Sequence, residues 1–144
     1  MRYRVALEIP ADTSESSPER QDIKAWRGVI SRINIFFPAG CSGLVHVRIR
    51  QAKHNIAPVN PDGWFNGDDE GPDYQEHYPL KSGTNVITIE GYNEDTTYSH
   101  TPIVEFDVLP EDVLTMPRLQ YDLIYAFARA LEAMNRLMEK MGAT

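Results

Sequence analysis

The densest group of side chains that could do chemistry lies in the stretch 60–73, NPDGWFNGDDEGPD. Its carboxylates could supply the several oxygen ligands that calcium prefers. These carboxylates are Asp62, Asp68, Asp69, Glu70 and Asp73. An EF-hand loop needs acidic or amide side chains at alternate positions, then a glycine and a distal glutamate. Because this stretch does not keep that register, we predict a solvated loop without a bound metal or other cofactor, with a calcium site at a sheet edge as the alternative.

Two aromatic residues, Trp64 and Phe65, lie in the middle of the same stretch. If they face solvent, they form an aromatic contact patch of the kind found at protein and sugar interfaces. If they fold under the loop, they form a small local core. We predict a contact site for a ligand or partner at Trp64, Phe65, Asp68 and Asp69, and the sequence leaves the two orientations of the rings open.

The remaining reactive side chains do not form a recognisable catalytic or metal motif. The four histidines, at positions 46, 54, 77 and 100, lack metal-ligand spacing, and Cys41 is the only cysteine. The GCSG segment around Cys41 and Ser42 lacks the five-residue pattern and the strand-to-helix context of a nucleophile elbow. We therefore predict no catalytic residue and a protein that is not an enzyme.

Composition restricts the classes of partner. The chain has 144 residues, a hydrophobic share of 42% and a net charge of −7, which suits one compact domain with an appendage. The acidity argues against general binding to nucleic acid and to anionic membranes, since both need a basic surface. No signal peptide or membrane-spanning run is recognisable, so we expect a soluble protein.

Alternation of apolar and polar residues predicts the elements of residues 1–110. Strands are expected at 2–9, 24–37, 44–54, 84–92 and 103–110, with a short strand near 74–80. Residues 10–22 read as a loop, and Gly28 suggests a bulge or bend within a long strand. The turn at 38–43 predicts a hairpin between the strands on either side of it. The fold class is mainly β, an antiparallel β-sandwich of jelly-roll or immunoglobulin-like type, followed by a C-terminal α-helix.

Charged residues on these strands could form ion pairs. The alternation places His46, Arg48 and Arg50 on the outward face of one strand. Carboxylates project outward from two other strands: Glu90, Glu105 and Asp107. Cross-strand pairing would explain both sets, although the same residues could also join neighbouring copies of the chain.

Residues 111–144 form a second region, a linker and an amphipathic helix expected over 117–141, with Pro117 in its first turn. If Ile124 takes heptad position a, apolar residues occupy every following a and d position. The predicted oligomerisation or docking residues are Ile124, Phe127, Leu131, Met134, Leu137, Met138 and Met141. Leu123, Ala130 and Leu137 lie at g and widen this stripe, which could instead pack on the sandwich of the same chain.

Three segments carry a resemblance: FPAGCSGLVHVRI, NPDGWFNGDD and GYNEDTTYSHT. Over about residues 24–110 the chain resembles small uncharacterised β-sandwich proteins encoded in phage and prophage-like genomes. The resemblance implies a virion component, such as a decoration, penton or spike-type jelly roll, and it implies no catalytic residue.

Two functions follow as hypotheses. The first is a structural or assembly subunit in the virion or the host cytoplasm. It would join to itself, for example as a trimer, or dock on a capsid-like protein lattice, through the helix. The alternative is a carbohydrate- or receptor-binding module that uses the aromatic residues of the acidic stretch, with or without calcium.

Overall fold

The structure is a computed structural model that describes residues 1–81 and 83–142, except for the side chains of 113–119. The chain divides into two compact units, Met1–Leu109 and Pro110–Thr144. The first unit contains the strands and the second contains the helix.

Two antiparallel sheets form the first unit. The strands in its described residues are β1 (Arg2–Ala6), β2 (Glu19–Ala25), β3 (Gly28–Phe36), β4 (Val45–Gln51), β5 (His54–Ala57), β6 (Phe65–Asn66), β7 (Asp73–Leu80), β8 (Asn85–Asn93) and β9 (Ile103–Leu109). The first sheet has the order β1-β9-β3-β7, and the second has the order β2-β8-β4-β5, with β6 also paired to β4. The predicted fold class, an antiparallel β-sandwich followed by a helix, is confirmed.

A single apolar core lies between the sheets, and the alternation seen in the sequence produces it. In β4 the side chains of Val45, Val47 and Ile49 are fully buried, while the residues between them are half-buried. The same pattern in β9 buries Val104 and Phe106. Each strand therefore contributes one face to the core and leaves the other for polar contacts.

The predicted long strand 24–37 is wrong, because the chain changes sheets inside it. β2 ends at Ala25 in the second sheet, and β3 starts at Gly28 in the first. Gly28 has a φ of 152°, and a Cβ at this position would collide with the carbonyl oxygen of Leu109 and lie 2.9 Å from Cγ1 of Val108. A glycine is therefore needed where β3 crosses to lie beside β9. The irregular step of β3 itself lies between Ile30 and Arg32.

The predicted hairpin across residues 38–43 is also wrong. β3 belongs to the first sheet and β4 to the second, so this turn crosses between the sheets. The hydrogen-bonding partners of β4 come from other parts of the chain, with β8 on one side and β5 and β6 on the other. Alternation shows which side chains face the core, but it is the same whether the next strand continues in the same sheet or in the opposite one.

The predicted loop 10–22 contains the first part of β2. This strand begins at Glu19 and lies at the edge of the second sheet, beside β8. Its first four residues are exposed, so it lacks the buried alternation by which a strand is recognised in a sequence. The strands β5 and β6 were not predicted because, with four and two residues, they are too short for an alternation to be recognised.

The second unit contains α1 (Glu111–Gly142). The helix begins before the predicted start, so that Pro117 lies inside it and not in its first turn. Its first turn instead carries Glu111 and Asp112, acidic residues that suit the positive end of the helix dipole.

β1 and β9 hold the two ends of the first unit together. The N-terminal ammonium group of Met1 donates a hydrogen bond to the carbonyl oxygen of Val108 over 2.7 Å. Antiparallel pairing then continues from Arg2, opposite Asp107, to Ala6, opposite Ile103. Tyr3 stacks on Phe106 with 5.0 Å between ring centroids.

Candidate interaction sites

Trp64 does not project freely from the acidic stretch. The guanidinium carbon of Arg48 lies 4.0 Å from the centroid of its ring, and Tyr92 meets it edge-on with 4.8 Å between centroids. The indole Nε1 donates a hydrogen bond to Glu15 over 3.0 Å. A cation over the face of the indole is a favourable contact, so the ring packs against the outer side of the second sheet.

Phe65 is the first residue of β6, and its side chain packs against the core. It stands opposite Val47 in the pairing of β6 with β4, and its ring lies 6.3 Å from that of Tyr74. Both predicted aromatic residues are half-buried. The pairing of β6 with β4 thus divides them between the two faces of the second sheet.

Asp68 and Asp69 lie in the turn between β6 and β7, and both are exposed. One carboxylate oxygen of Asp68 accepts a hydrogen bond of 2.7 Å from the backbone N–H of Gly40. Asp69 adopts a φ of 53°, a conformation that aspartate tolerates better than most residues. Among the side chains that the structure describes, no three His, Cys, Asp or Glu residues are grouped closely enough to hold a metal ion.

Glu90 is the centre of an ionic cluster on the outer side of the second sheet. Its place in β8 is directly opposite Arg20 on β2 and Arg48 on β4. The carboxylate accepts from Arg48 over 2.6 Å, pairs with Arg20 over 3.0 Å and lies 3.3 Å from Arg50. Its side chain is only 3% exposed. The predicted cross-strand ion pairing is therefore confirmed for Glu90, whose burial the sequence did not indicate.

The other predicted ionic residues also pair within the chain. Asp107 accepts from Arg2 over 2.8 Å, and Glu105 lies 3.4 Å from Arg4. The hydrogen bond from Arg2 is the main reason why the pKa of Asp107 lies below its usual value. His46 stacks on Tyr92 and contacts Glu94 over 3.0 Å.

Cys41 is fully buried beneath the turn that joins the sheets. Burial, with a smaller contribution from the charge of Asp68, raises the pKa of its thiol. A thiol whose pKa is raised has less of the thiolate form that acts as a nucleophile. The neighbouring Ser42 adopts a φ of 50° in the turn and is exposed.

The apolar residues of α1 form a continuous exposed stripe. The a and d positions are occupied by Ile124, Phe127, Leu131, Met134, Met138 and Met141, and their exposure ranges from 44% for Leu131 to 73% for Met141. Leu137, at a neighbouring g position, is 60% exposed. We call these seven residues the helix seam. An apolar face of this length is the arrangement by which helices associate.

Trp26 is an exposed aromatic residue to which the sequence assigned no role. Trp26, in the connection between β2 and β3, is 69% exposed. Trp26 was predicted to lie inside one long strand. The exposed position of this side chain, in the connection between two strands, was therefore not expected.

No protein-family model, curated protein or solved structure matches this chain. No helix formed by the described residues combines the length and the apolar character needed to cross a bilayer. The geometry of the sites is therefore the basis for any proposal about function.

Proposed function

We propose that the protein is a non-enzymatic structural subunit that assembles through the helix seam, either with copies of itself or on a capsid-like protein lattice. The observation that carries this proposal is the exposure of the seam: six large apolar side chains in 3–4 spacing, with Leu137 beside them, each 44–73% exposed. A run of exposed apolar residues of this size marks an association surface.

The arrangement of the helix favours association with identical helices. Arg129, Glu132 and Arg136 lie at b and f positions, away from the seam, so a knobs-into-holes contact would not bury their charges. Burying a Leu, Ile, Phe or Met side chain stabilises an assembly by about 1.5–3 kcal/mol. Six a and d positions in each helix therefore supply a driving force that an isolated helix of this length lacks.

A trimer is the form that the seam fits best. The g positions that flank it are apolar, at Leu123, Ala130 and Leu137, and the e positions Ala128 and Asn135 are uncharged. In two-stranded coiled coils the e and g positions usually carry the charges that select the partner. An apolar arc wider than a and d alone is buried more completely among three helices than between two.

The resemblance to β-sandwich proteins of phage-type genomes supports placing this subunit in a virion or, before assembly, in the cytoplasm of the host cell. A sandwich that presents loops and a helix that joins copies is an organisation suited to a decoration, penton or spike component.

Solution mass tests the proposal. We expect the full chain to be an oligomer at about 0.5 M salt, where contacts between exposed charges are screened. Leu131→Glu should yield monomers, because it places a charge at the centre of the seam. Ala133→Glu is the matched control, since it adds the same side chain at an exposed position outside the seam, and it should leave the mass unchanged.

A chain that ends at Leu109 should be monomeric under the same conditions. If the full chain and the shortened chain are both strict monomers, the helix does not drive assembly and the proposal fails. If Leu131→Glu and Ala133→Glu reduce the mass equally, the seam is not the contact surface.

The alternative, a carbohydrate- or receptor-binding module at Trp64, Phe65, Asp68 and Asp69, has less support from the geometry. Arg48 covers a face of Trp64, and Phe65 packs against the core. It would gain support if calcium raised the melting temperature or if a glycan array showed binding that Trp64→Ala removed.

A further inference from the structure

The two ends of the β-sandwich carry opposite charges. At one end lie the connections 26–27, 52–53 and the described residues of 81–84, which contain Arg27, Lys53 and Lys81 and no acidic residue. The end of β9 lies at the same end, beside Gly28, and the chain continues from it to Glu111 and Asp112. At the other end lie 10–18, 38–44, 67–72 and 94–102, which contain seven carboxylates and neither lysine nor arginine. We call these the basic end and the acidic end.

The strand register places these connections at opposite ends. Ala25 stands opposite Asn85, and Gly28 stands opposite Leu80, so 26–27 and 81–84 are neighbours. At the far end Val45 stands opposite Asn93. Strands of seven to nine residues separate the two ends by about 25 Å, at about 3.3 Å per residue.

The cations of the basic end are not used within the sandwich. Six of the seven arginines of residues 1–109 form an ion pair with a carboxylate: Arg2, Arg4, Arg20, Arg32, Arg48 and Arg50. Within the described part of the chain, Arg27 has no such pair, and neither have Lys24, Lys53 and Lys81. Each of these four side chains is exposed. The unpaired positive charge of the sandwich is thus collected at one end.

Trp26 gives the basic end an apolar centre. It is 69% exposed and borders an open depression of about 450 Å³. The depression is lined by Lys24, Ala25, Trp26, Arg27, Gly83 and Thr84. Tryptophan and arginine are the residue types that contribute most often to the centre of protein interfaces.

The acidic end has the complementary composition. Asp68, Asp69, Glu70 and Glu94 are exposed there, and Tyr98 among them is 67% exposed. Tyrosine also belongs to the residue types that concentrate interface energy. Each end therefore presents one exposed aromatic ring with exposed charges around it, and the two sets of charges are opposite in sign.

We infer that a second copy of the chain is the partner of the basic end, bound head-to-tail through its acidic end, with Tyr98 of one copy at the depression beside Trp26 of the next. The contact is heterologous, so that it generates a ring or an open filament of sandwiches. It is independent of the helix seam, whose contacts are apolar. The alternative partner, an extended polyanion, would have to pass from a small basic area onto the surface of a protein with a net charge of −7.

The test uses two charge-reversed variants of the full chain, each also carrying Leu131→Glu to remove association through the helix. Arg27→Glu with Lys81→Glu replaces two cations of the basic end by carboxylates, and Asp69→Asn with Glu70→Lys reduces the seven carboxylates of the acidic end to five and adds a lysine. Each variant alone should self-associate more weakly than the chain with Leu131→Glu alone in sedimentation velocity experiments at low salt. An equimolar mixture of the two should associate, because acidic and basic ends then meet again.

The parent protein with Leu131→Glu alone should associate at about 50 mM salt, with a Kd that weakens by about tenfold or more at about 500 mM salt. Trp26→Ala and Tyr98→Ala should each weaken this association, whereas Val59→Ala, which replaces an exposed residue outside both ends, should not. A parent protein that stays monomeric at low salt overturns the inference. So does a mixture of the two variants that fails to associate.

Carbodiimide cross-linking gives a second readout that needs no substitution. Lys81 and Glu70 lie at opposite ends of one sandwich, too far apart for a zero-length link within a chain. A Lys81–Glu70 link is therefore expected only between copies, and its absence from a cross-linked oligomer contradicts the inference. An acidic oligosaccharide could instead bind at the basic end and perturb Trp26 fluorescence while the protein remains monomeric. This result would overturn the inferred contact between copies in favour of a different partner.

Discussion

Glu90 is a buried carboxylate that is shared by arginines of two neighbouring strands. Arg20 reaches it from β2, and Arg48 and Arg50 reach it from β4. The Nε of Arg50 is itself buried and has no hydrogen-bond partner in the part of the chain that the structure describes. Arg50 also donates a hydrogen bond to the carbonyl oxygen of Lys53 over 3.4 Å. Loss of the Glu90 carboxylate would leave Arg48 poorly compensated at 15% exposure.

At this scale we predict that Glu90→Gln lowers the free energy of unfolding by about 2 kcal/mol. Breaking a buried pair costs about 3–5 kcal/mol, and the exposure of Arg20 reduces that cost. Glu105→Gln removes the carboxylate that pairs with one exposed side chain, that of Arg4. This substitution should lower the free energy of unfolding by about 0.5 kcal/mol. Urea unfolding of both variants measures the difference, and equal effects would contradict the role of Glu90.

The aromatic pair Trp64 and Phe65 shows how far the sequence defines a site. The aromatic side chains of Trp64 and Phe65 indicated a contact role. The turn that follows them, with Asp68 and Asp69, is indeed exposed. Their orientation depends on β6 pairing with β4, across Val47 and His46. A strand of two residues has too few positions for an alternation to be recognised, so this pairing could not be predicted.

The elements are joined at a few positions where the backbone cannot vary. Gly28 is one, because the start of β3 passes so close to Leu109 that no side chain fits. Gly43, in the turn between the sheets, has a φ of 73° but open space around it. The two glycines thus differ in steric surroundings while both have positive φ.

We predict that Gly28→Ala lowers the free energy of unfolding by about 2–4 kcal/mol, through backbone strain and overpacking against β9. Gly43→Ala should lower the free energy of unfolding by about 1 kcal/mol, since the added methyl group meets no neighbouring atom and only the positive φ of residue 43 becomes unfavourable. Thermal unfolding followed by circular dichroism compares the two variants. If Gly28→Ala is no more harmful than Gly43→Ala, the close approach to Leu109 does not constrain the fold.

Most strands of the sandwich could be predicted from alternation, as in β4, β8 and β9, because every second side chain of these strands faces the core. The connections could not. The crossing at residues 38–43 has the proline and glycines of a hairpin turn, and only long-range pairing, such as that of Phe37 with Glu70, shows that it leaves the sheet. The first part of the edge strand β2 was not predicted. Its side chains are exposed there, so apolar and polar residues need not alternate.

At the scale of the whole molecule, acid stability is set by carboxylates whose pKa lies below the usual value. They are Asp73, held by a hydrogen bond from Arg32, Asp95, held by His100 and the backbone of Thr97, and Asp107, held by Arg2. Since these pKa values are lowered by folding, the folded state binds fewer protons than the unfolded state in mild acid. Their contribution is complete above the unfolded pKa of about 3.9 and is lost as the pH falls through the folded values.

We therefore predict a melting temperature that changes little from about pH 7 to pH 5 and falls towards about pH 3. Asp95→Asn should lower the melting temperature at pH 7, and the difference from the parent protein should shrink as the pH falls below about 4, because the carboxyl of Asp95 then takes up a proton in the unfolded and later in the folded state. Asp69→Asn, in the exposed turn, serves as the control and should follow the parent at every pH. A constant difference between Asp95→Asn and the parent would show that the charge of Asp95 is not the cause.

The hydrogen bond between Met1 and Val108 has a mechanical consequence. β1 and β9 are antiparallel, so the start of β1 and the end of β9 lie side by side at one end of the first sheet. A tensile load applied between these two points would strain the ladder one rung at a time, from Arg2 towards Ala6, and would not shear all rungs together. The sandwich would yield at low force along this line, by peeling away its first strand.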